Sequence, residues 1–149
     1  MYRRHRVSDD TTLAAFDKAF ELVTHVAELM QEALAQRGLT TPKAQVIFAL
    51  HHEGPQVQRK LSEALRCTPR HVTALIDNLS EAGFVARGPH PTDRRATLVT
   101  LTQQGVEAAE RMVREREKSA EELLGEVPED QLKAFIAVAD RFIGGQSDE

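Results

Sequence analysis

The chain has no tryptophan, one tyrosine and a single cysteine, and aromatics make up only 5% of its 149 residues. One cysteine, Cys67, excludes an internal disulfide framework and suits a reducing cytoplasm, where the protein is expected to reside. No apolar run approaches the ~20 residues that a membrane helix needs, so no membrane partner is expected. The N-terminal stretch "MYRRHRVSDD" is basic, but no apolar region follows it, so it does not read as a secretion signal. No Ser-His-Asp set, paired carboxylates or phosphate loop stands out, so neither an enzyme nor a cofactor is expected. "HHE" at 51–53 lacks the HExxH spacing, and adjacent helical residues point about 100° apart, which suits no shared metal ion. Histidines favoured at a helix end by the dipole are the better account.

What is abundant is Ala, Leu, Glu, Gln and Arg, the composition of a mostly helical chain. Hydrophobic residues reach 41% and charged ones 28%, as in a soluble globular protein. The length favours one domain with a real core. The net charge of −4 argues at first against nucleic acid, but its distribution reverses that. From Gln56 to Ala96 there are seven Lys and Arg against four acids, a local +3 that leaves −7 for the rest. A positive middle within an acidic body is the layout of a localised anionic-ligand site.

Leu13, Phe16, Phe20, Val23, Ala27, Met30 and Leu34 recur at steps of three and four and predict one long helix. Asp9 or Asp10 can cap its start, and Gly38 ends it. A second helix is expected with Thr41 as N-cap, Pro42 at its first position and Gly54 closing it. "PQVQRKLSEALRC" reads as a short third helix with Val57, Leu61 and Leu65 inward. A fourth is capped by Thr68, begun by Pro69 and stopped by Gly83, with Val72, Leu75, Ile76 and Leu79 as its buried stripe. "FVARG" and "TLVTLT" read as two strands, and the intervening "GPHPTDRRA" is too rich in Gly, Pro and Asp for a helix. Thr102 caps a long charged helix, and Leu132 to Ile143 form a last amphipathic one before a frayed "GGQSDE" tail. Phe20, Met30 and Phe48 are read as core, and His25 as a helix-surface residue. Two short helices with a tight turn, followed by a β-hairpin, make a winged helix-turn-helix.

In such a unit the second helix enters the DNA major groove by its N-terminal end. Thr68, Pro69, Arg70, His71 and Thr73 face out there. Arg70 can bond guanine O6 and N7, and Thr73 can touch a thymine methyl or a phosphate. The helix N-terminus adds free N–H groups suited to phosphate. At the hairpin tip, Arg94 and Arg95 have no apolar neighbour to bury them. Arginines on so narrow a tip can insert into the minor groove, whose negative potential deepens in A·T-rich sequence. Asp93 beside them can hold one guanidinium by a forked contact.

"LTTPKAQVIFAL", "LSEALRCTPRHVTALIDNLSEAGFV" and "DRRATLVTLTQQG" together resemble the MarR family of bacterial transcription regulators, over nearly the whole chain from about Thr12 to Ile143. The resemblance implies a homodimer held by its first and last helices. It also implies a pseudo-palindromic operator in double-stranded DNA, usually repression, and release by a small-molecule effector or by oxidation. By position, Arg94 resembles the arginine that enters the minor groove, with Asp93 as its orienting partner and Arg95 following. Thr68, Pro69, Arg70, His71 and Thr73 occupy the recognition-helix contact positions. Three positions depart from the family pattern. His90 stands where an acid is common, Arg66 replaces the usual turn glycine, and Ala74 replaces a basic residue. Arg66 is then expected to be left-handed, at a cost of order 1 kcal/mol. Oxidation sensing is not expected, because the only cysteine, Cys67, falls in the turn core and reads as a buried, inert thiol.

The expected fold is mainly α, an α+β winged helix of six helices with a two-stranded β-hairpin wing, in a dimer formed by the N- and C-terminal helices. Residues 1–149 are read as a single domain, with 40–101 as the DNA-binding lobe and 9–37 and 103–145 as dimerisation helices. The expected partners are double-stranded DNA, a second copy of the chain and a small-molecule effector. One rival is a winged helix that binds protein, which needs exposed apolar anchors that "PTDRR" does not offer. Another is a constitutive DNA-binding regulator with no ligand.

Overall fold

A computed structural model describes residues 9–144. In order, it contains α1 (Asp9–Ala35), α2 (Thr41–Glu53), β1 (Gln56–Val57), α3 (Gln58–Ala64), α4 (Pro69–Glu81), β2 (Val85–Pro89), β3 (Thr97–Leu101), α5 (Gln103–Leu124) and α6 (Glu129–Ile143). Six helices with a hairpin are as the sequence predicted. The backbone divides after Val106 into two compact units. Asp9 and Asp10, expected to cap α1, are its first two helical residues at the edge of the described residues, and the tail from residue 145 lies outside them.

The first unit is built around helices whose apolar positions recur on one face. α2 buries Ala44, Val46, Ile47 and Leu50. Its N-cap is Thr40, one residue before the expected Thr41, and the Thr40 side chain makes no capping bond. Pro42 in the first turn loses nothing, because the N–H groups there have no intrahelical acceptor. α4 buries Val72, Leu75, Ile76 and Leu79, the stripe read from the sequence. Val46, Ile47, Ile76, Leu79 and β3's Val99 have no exposed surface. Truncating Ile47, Ile76 or Leu79 to Ala would cost about 2–5 kcal/mol through lost burial and the cavity left behind.

The sheet is antiparallel in the order β1-β3-β2, with Val85 opposite Leu101, Arg87 opposite Val99 and Pro89 opposite Thr97. Its third strand was not expected. Gln56 and Val57 pair with Val99 and Leu98, so Val57 precedes α3 rather than lying on its inner face. The free edge of β3 carries N–H and C=O groups that a neighbouring extended segment satisfies, and Pro55 keeps the chain out of a helix there. The shortened α3 buries Leu61.

Between α3 and α4 Arg66 takes φ +51, the left-handed conformation expected where the glycine is missing. Two bonds brace the turn. The buried Ser62 hydroxyl donates to the Cys67 carbonyl at 2.7 Å, and the Cys67 N–H donates to the Ser62 carbonyl at 3.1 Å. Cys67 itself is half-buried rather than fully buried, its thiol donating to the Leu65 carbonyl at 3.3 Å.

Thr102 and Gly105 fasten the first turn of α5 to the end of α4. The Thr102 hydroxyl donates to the Gly83 carbonyl at 2.5 Å and accepts the Gly105 N–H at 3.1 Å, making Thr102 the expected cap. A Cβ on Gly105 would sit 2.1 Å from the Phe84 carbonyl oxygen, so only glycine allows this approach.

α1 keeps its apolar stripe outside this core. Leu34 is buried, but Phe20 and Met30, expected in the core, are 58% and 51% exposed. In the second unit, residues 107–144, α6 starts after Pro128 and ends at Gly144, and it buries none of its residues. Phe135, Ile136, Phe142 and Ile143 are all exposed. Among the described residues no helix is long and apolar enough to cross a membrane, and no cluster of His, Cys, Asp and Glu could hold a metal.

Candidate nucleic-acid interface

α4 begins cleanly because Thr68 is extended, at φ −68 and ψ 151, and its hydroxyl accepts the His71 N–H at 3.2 Å. That satisfies one of the four N–H groups left over at a helix start. Thr68, Pro69, Arg70, His71 and Thr73 are all exposed. Thr73 is less free than the sequence suggests. Its hydroxyl donates to the Pro69 carbonyl at 2.9 Å and accepts Gln58 Nε2 at 3.0 Å, so its proton is already committed.

The hairpin tip is a pair of side-chain-stabilised turns. His90 Nδ1 accepts the N–H groups of Thr92 at 3.2 Å and Asp93 at 3.0 Å. That role requires Nδ1 to be the unprotonated nitrogen of the ring. Asp93 Oδ1 then accepts the Arg95 N–H at 2.9 Å, and the Asp93 carbonyl accepts the Ala96 N–H at 3.2 Å. Arg94 and Arg95 thus occupy the two central positions of a β-turn. The forked hold of Asp93 on a guanidinium, expected from the sequence, is replaced here by a bond to the backbone. A short carboxylate two residues back is well placed for that Asx turn. His90, at the position where an acid is common, fills the same kind of acceptor role.

Charge pairing narrows the basic surface. Arg87 on β2 lies 2.6 Å from Asp77 on α4, and Arg59 lies 3.9 Å from Glu63. Among the described residues Lys60, Arg66, Arg70, Arg94 and Arg95 have no ion-pair partner. The unpaired positive charge therefore lies at the turn, the start of α4, the hairpin tip and α3. The tip residues Thr92 to Arg95 are all exposed.

Sequence reasoning missed one set of side chains. Arg87 Nε donates to Gln58 Oε1 at 3.2 Å, and its Nη2 lies 3.4 Å from the Thr73 carbonyl. A signal existed in the strand period. Arg87 shares the face of the buried Val85, and a charge on a packed face needs a partner. Periodicity could not say that the partner would be Asp77.

Comparison with known proteins places this geometry. Residues 39–97 match the family model described as the MarR family. An uncharacterized HTH-type transcriptional regulator of Bacillus subtilis, YdgJ, is 30% identical over 104 residues, covering 70% of this chain and 63% of that relative. The crystal structure of RV1404 from Mycobacterium tuberculosis superposes with a TM-score of 0.75 at 21% identity, covering 99% of this chain and all of the other. The S. aureus MepR–DNA complex superposes with a TM-score of 0.67 at 19% identity, covering 87% of this chain and 96% of that one. The winged-helix fold, the matched segment and the named relatives agree, and the chain belongs to the MarR family of transcriptional regulators.

Proposed function

We propose that the protein is a homodimeric, sequence-specific DNA-binding repressor. It binds a pseudo-palindromic operator and leaves it when a small-molecule effector binds. Residues 40–101 form the DNA-binding lobe, and the helices at 9–37 and 103–145 form the dimer. α4 enters the major groove by its N-terminal end, with Arg70 reading a base edge and Thr68, Pro69, His71 and Thr73 beside it. Arg94 enters the adjacent minor groove from the wing, Arg95 follows it toward phosphate, and Asp93 fixes the turn that presents both.

The observation that carries this reading is the coincidence of free charge with protruding structure. Arg70 stands at the exposed start of a capped helix, and Arg94 and Arg95 stand at the tip of a hairpin in the same compact unit. A wing that docks on protein would present apolar anchors, whereas Pro91 to Arg95 presents polar and charged groups. The MepR neighbour was solved with DNA bound, which favours the same use of the fold. The dimer is supported by the apolar faces of α1 and α6, where Phe16, Phe20, Phe135 and Phe142 are 49–58% exposed. Exposed apolar helix faces of this kind are rare in a monomer.

The test is selection of binding sites from a random duplex library, followed by footprinting with and without phenolic or metabolite ligands. The expected result is an inverted repeat with half-sites about one helical turn, ~34 Å, apart. Protection should be lost in the presence of one ligand class. Light scattering at micromolar concentration should give the mass of two chains. Failure to enrich any sequence would overturn the DNA-binding reading. Enrichment with no ligand response would leave a constitutive regulator.

A further inference from the structure

Arg87 carries one of the seven positive charges of the central segment, and on charge alone it would be counted among the groups that face DNA. Its contacts point elsewhere. The side chain leaves β2 on the face of Val85 and opposite the fully buried Val99. Its Nη2 meets Asp77 Oδ1 at 2.6 Å and the Thr73 carbonyl at 3.4 Å, and its Nε meets Gln58 Oε1 at 3.2 Å. Gln58 turns its other end, Nε2, to the Thr73 hydroxyl at 3.0 Å. One planar guanidinium thereby joins the first residue of α3, two successive turns of α4 and the strand that leads into the wing.

We propose that Arg87 is a positioning residue. It fixes the offset between the wing and α4, and it acts on DNA only through Arg94. The inference rests on the reading of α4 and the wing as the two DNA-contacting elements. The fork is suited to this because its donors are fixed in one plane, so the partners are held in angle as well as distance. The arginine side chain is 32% exposed and that of Asp77 58%, so solvent screens the pair and its share of global stability is small. Its effect is geometric. From Arg87 to His90 the hairpin extends roughly 10 Å at about 3.3 Å per residue, so a tilt of about 10° at the base moves the tip by about 2 Å. A wing held in register loses less freedom on binding than one that must be ordered there.

The experiment uses the full-length protein and its selected operator, with Arg87→Gln, Asp77→Ala, Arg94→Ala and the double variant Arg87→Gln/Arg94→Ala. Arg87→Gln is expected to weaken binding about tenfold while leaving the slope of log affinity on log salt unchanged. Asp77→Ala removes a negative charge, which on electrostatic grounds would tighten DNA binding. Positioning requires that it weaken binding by a similar factor. The double variant should bind like Arg94→Ala alone, because an unanchored wing that makes no contact has nothing left to lose. A salt slope reduced by about one, with the loss persisting in the Arg94→Ala background, would make Arg87 a phosphate contact and overturn the proposal. Tighter binding by Asp77→Ala would overturn it as well. If Arg94→Ala itself binds normally, the wing reading fails, and hydrogen exchange of the free protein then decides about Arg87. Faster exchange at Gly88 and Leu98 in Arg87→Gln, with Leu75 and Ile76 unchanged, supports the clamp. Unchanged rates at Gly88 and Leu98 refute it.

Discussion

The Asp93 carboxylate accepts the backbone N–H of Arg95 at 2.9 Å, across the turn that presents both wing arginines. The bond needs an oxygen in that place and not a charge. Asp93→Asn is therefore expected to keep operator affinity within about twofold, because asparagine closes the same Asx turn. Asp93→Ala should weaken binding by loosening the tip. Equal loss in both variants, measured by fluorescence anisotropy on the selected operator, would mean that the negative charge aims an arginine in the complex.

Arg94→Ala should leave folding intact, since an exposed hairpin tip contributes little to stability. Operator binding should weaken strongly, and the slope of log affinity on log salt should fall by about one. The loss should be larger on A·T-rich flanks, where the groove is narrow and its potential deepest. Salt titrations of wild type and variant on A·T-rich and G·C-rich flanks check this. Unchanged affinity would reduce the tip to a charged turn.

Arg70→Ala should cost about 1–3 kcal/mol of base discrimination and relax preference at one position in each half-site. Repeating the site selection with the variant reads this directly. Uniform weakening across all sequences would instead identify Arg70 as a phosphate contact.

Gly105→Ala should destabilise the fold by about 1–3 kcal/mol, because the new methyl has to displace the Phe84 carbonyl. Its space is otherwise set at 2.1 Å from that oxygen. Urea unfolding followed by circular dichroism measures the change. A variant as stable as wild type would show that the α4–α5 junction adjusts freely.

Much of the fold was legible because it is written in local chemistry. Thr68 and Pro69 mark a helix start, Val72, Leu75, Ile76 and Leu79 mark a face, and the Pro and Gly residues around the wing mark a turn. Arg66 was legible too, since a residue replacing a turn glycine inherits its conformation. β1 was not, because two residues make no period and their pairing depends on the distant edge of β3. The wing network was legible only in part. The sequence shows that Asp93 is near Arg94 and Arg95, but not whether its carboxylate bonds a side chain or the chain itself. The links among Gln58, Thr73, Asp77 and Arg87 span up to 29 positions and arise only from tertiary packing. The apolar stripe of α1 was visible as a stripe, but periodicity cannot say whether a helix face is covered by its own chain or by another.

The loop from His90 to Ala96 draws every acceptor named for its turns from its own residues: the His90 ring, the Asp93 carboxylate and the Asp93 carbonyl. Such a loop is a separable cassette. Residues between its two anchoring side chains can drift without asking α4 to refold, and α4 can exchange outward residues other than Thr73 and Asp77 without disturbing the loop. Under the proposed function, a lineage built on this scaffold could retune the groove-shape contact and the base-edge contact one at a time. Divergence in the DNA bound would then need only a few substitutions at a time.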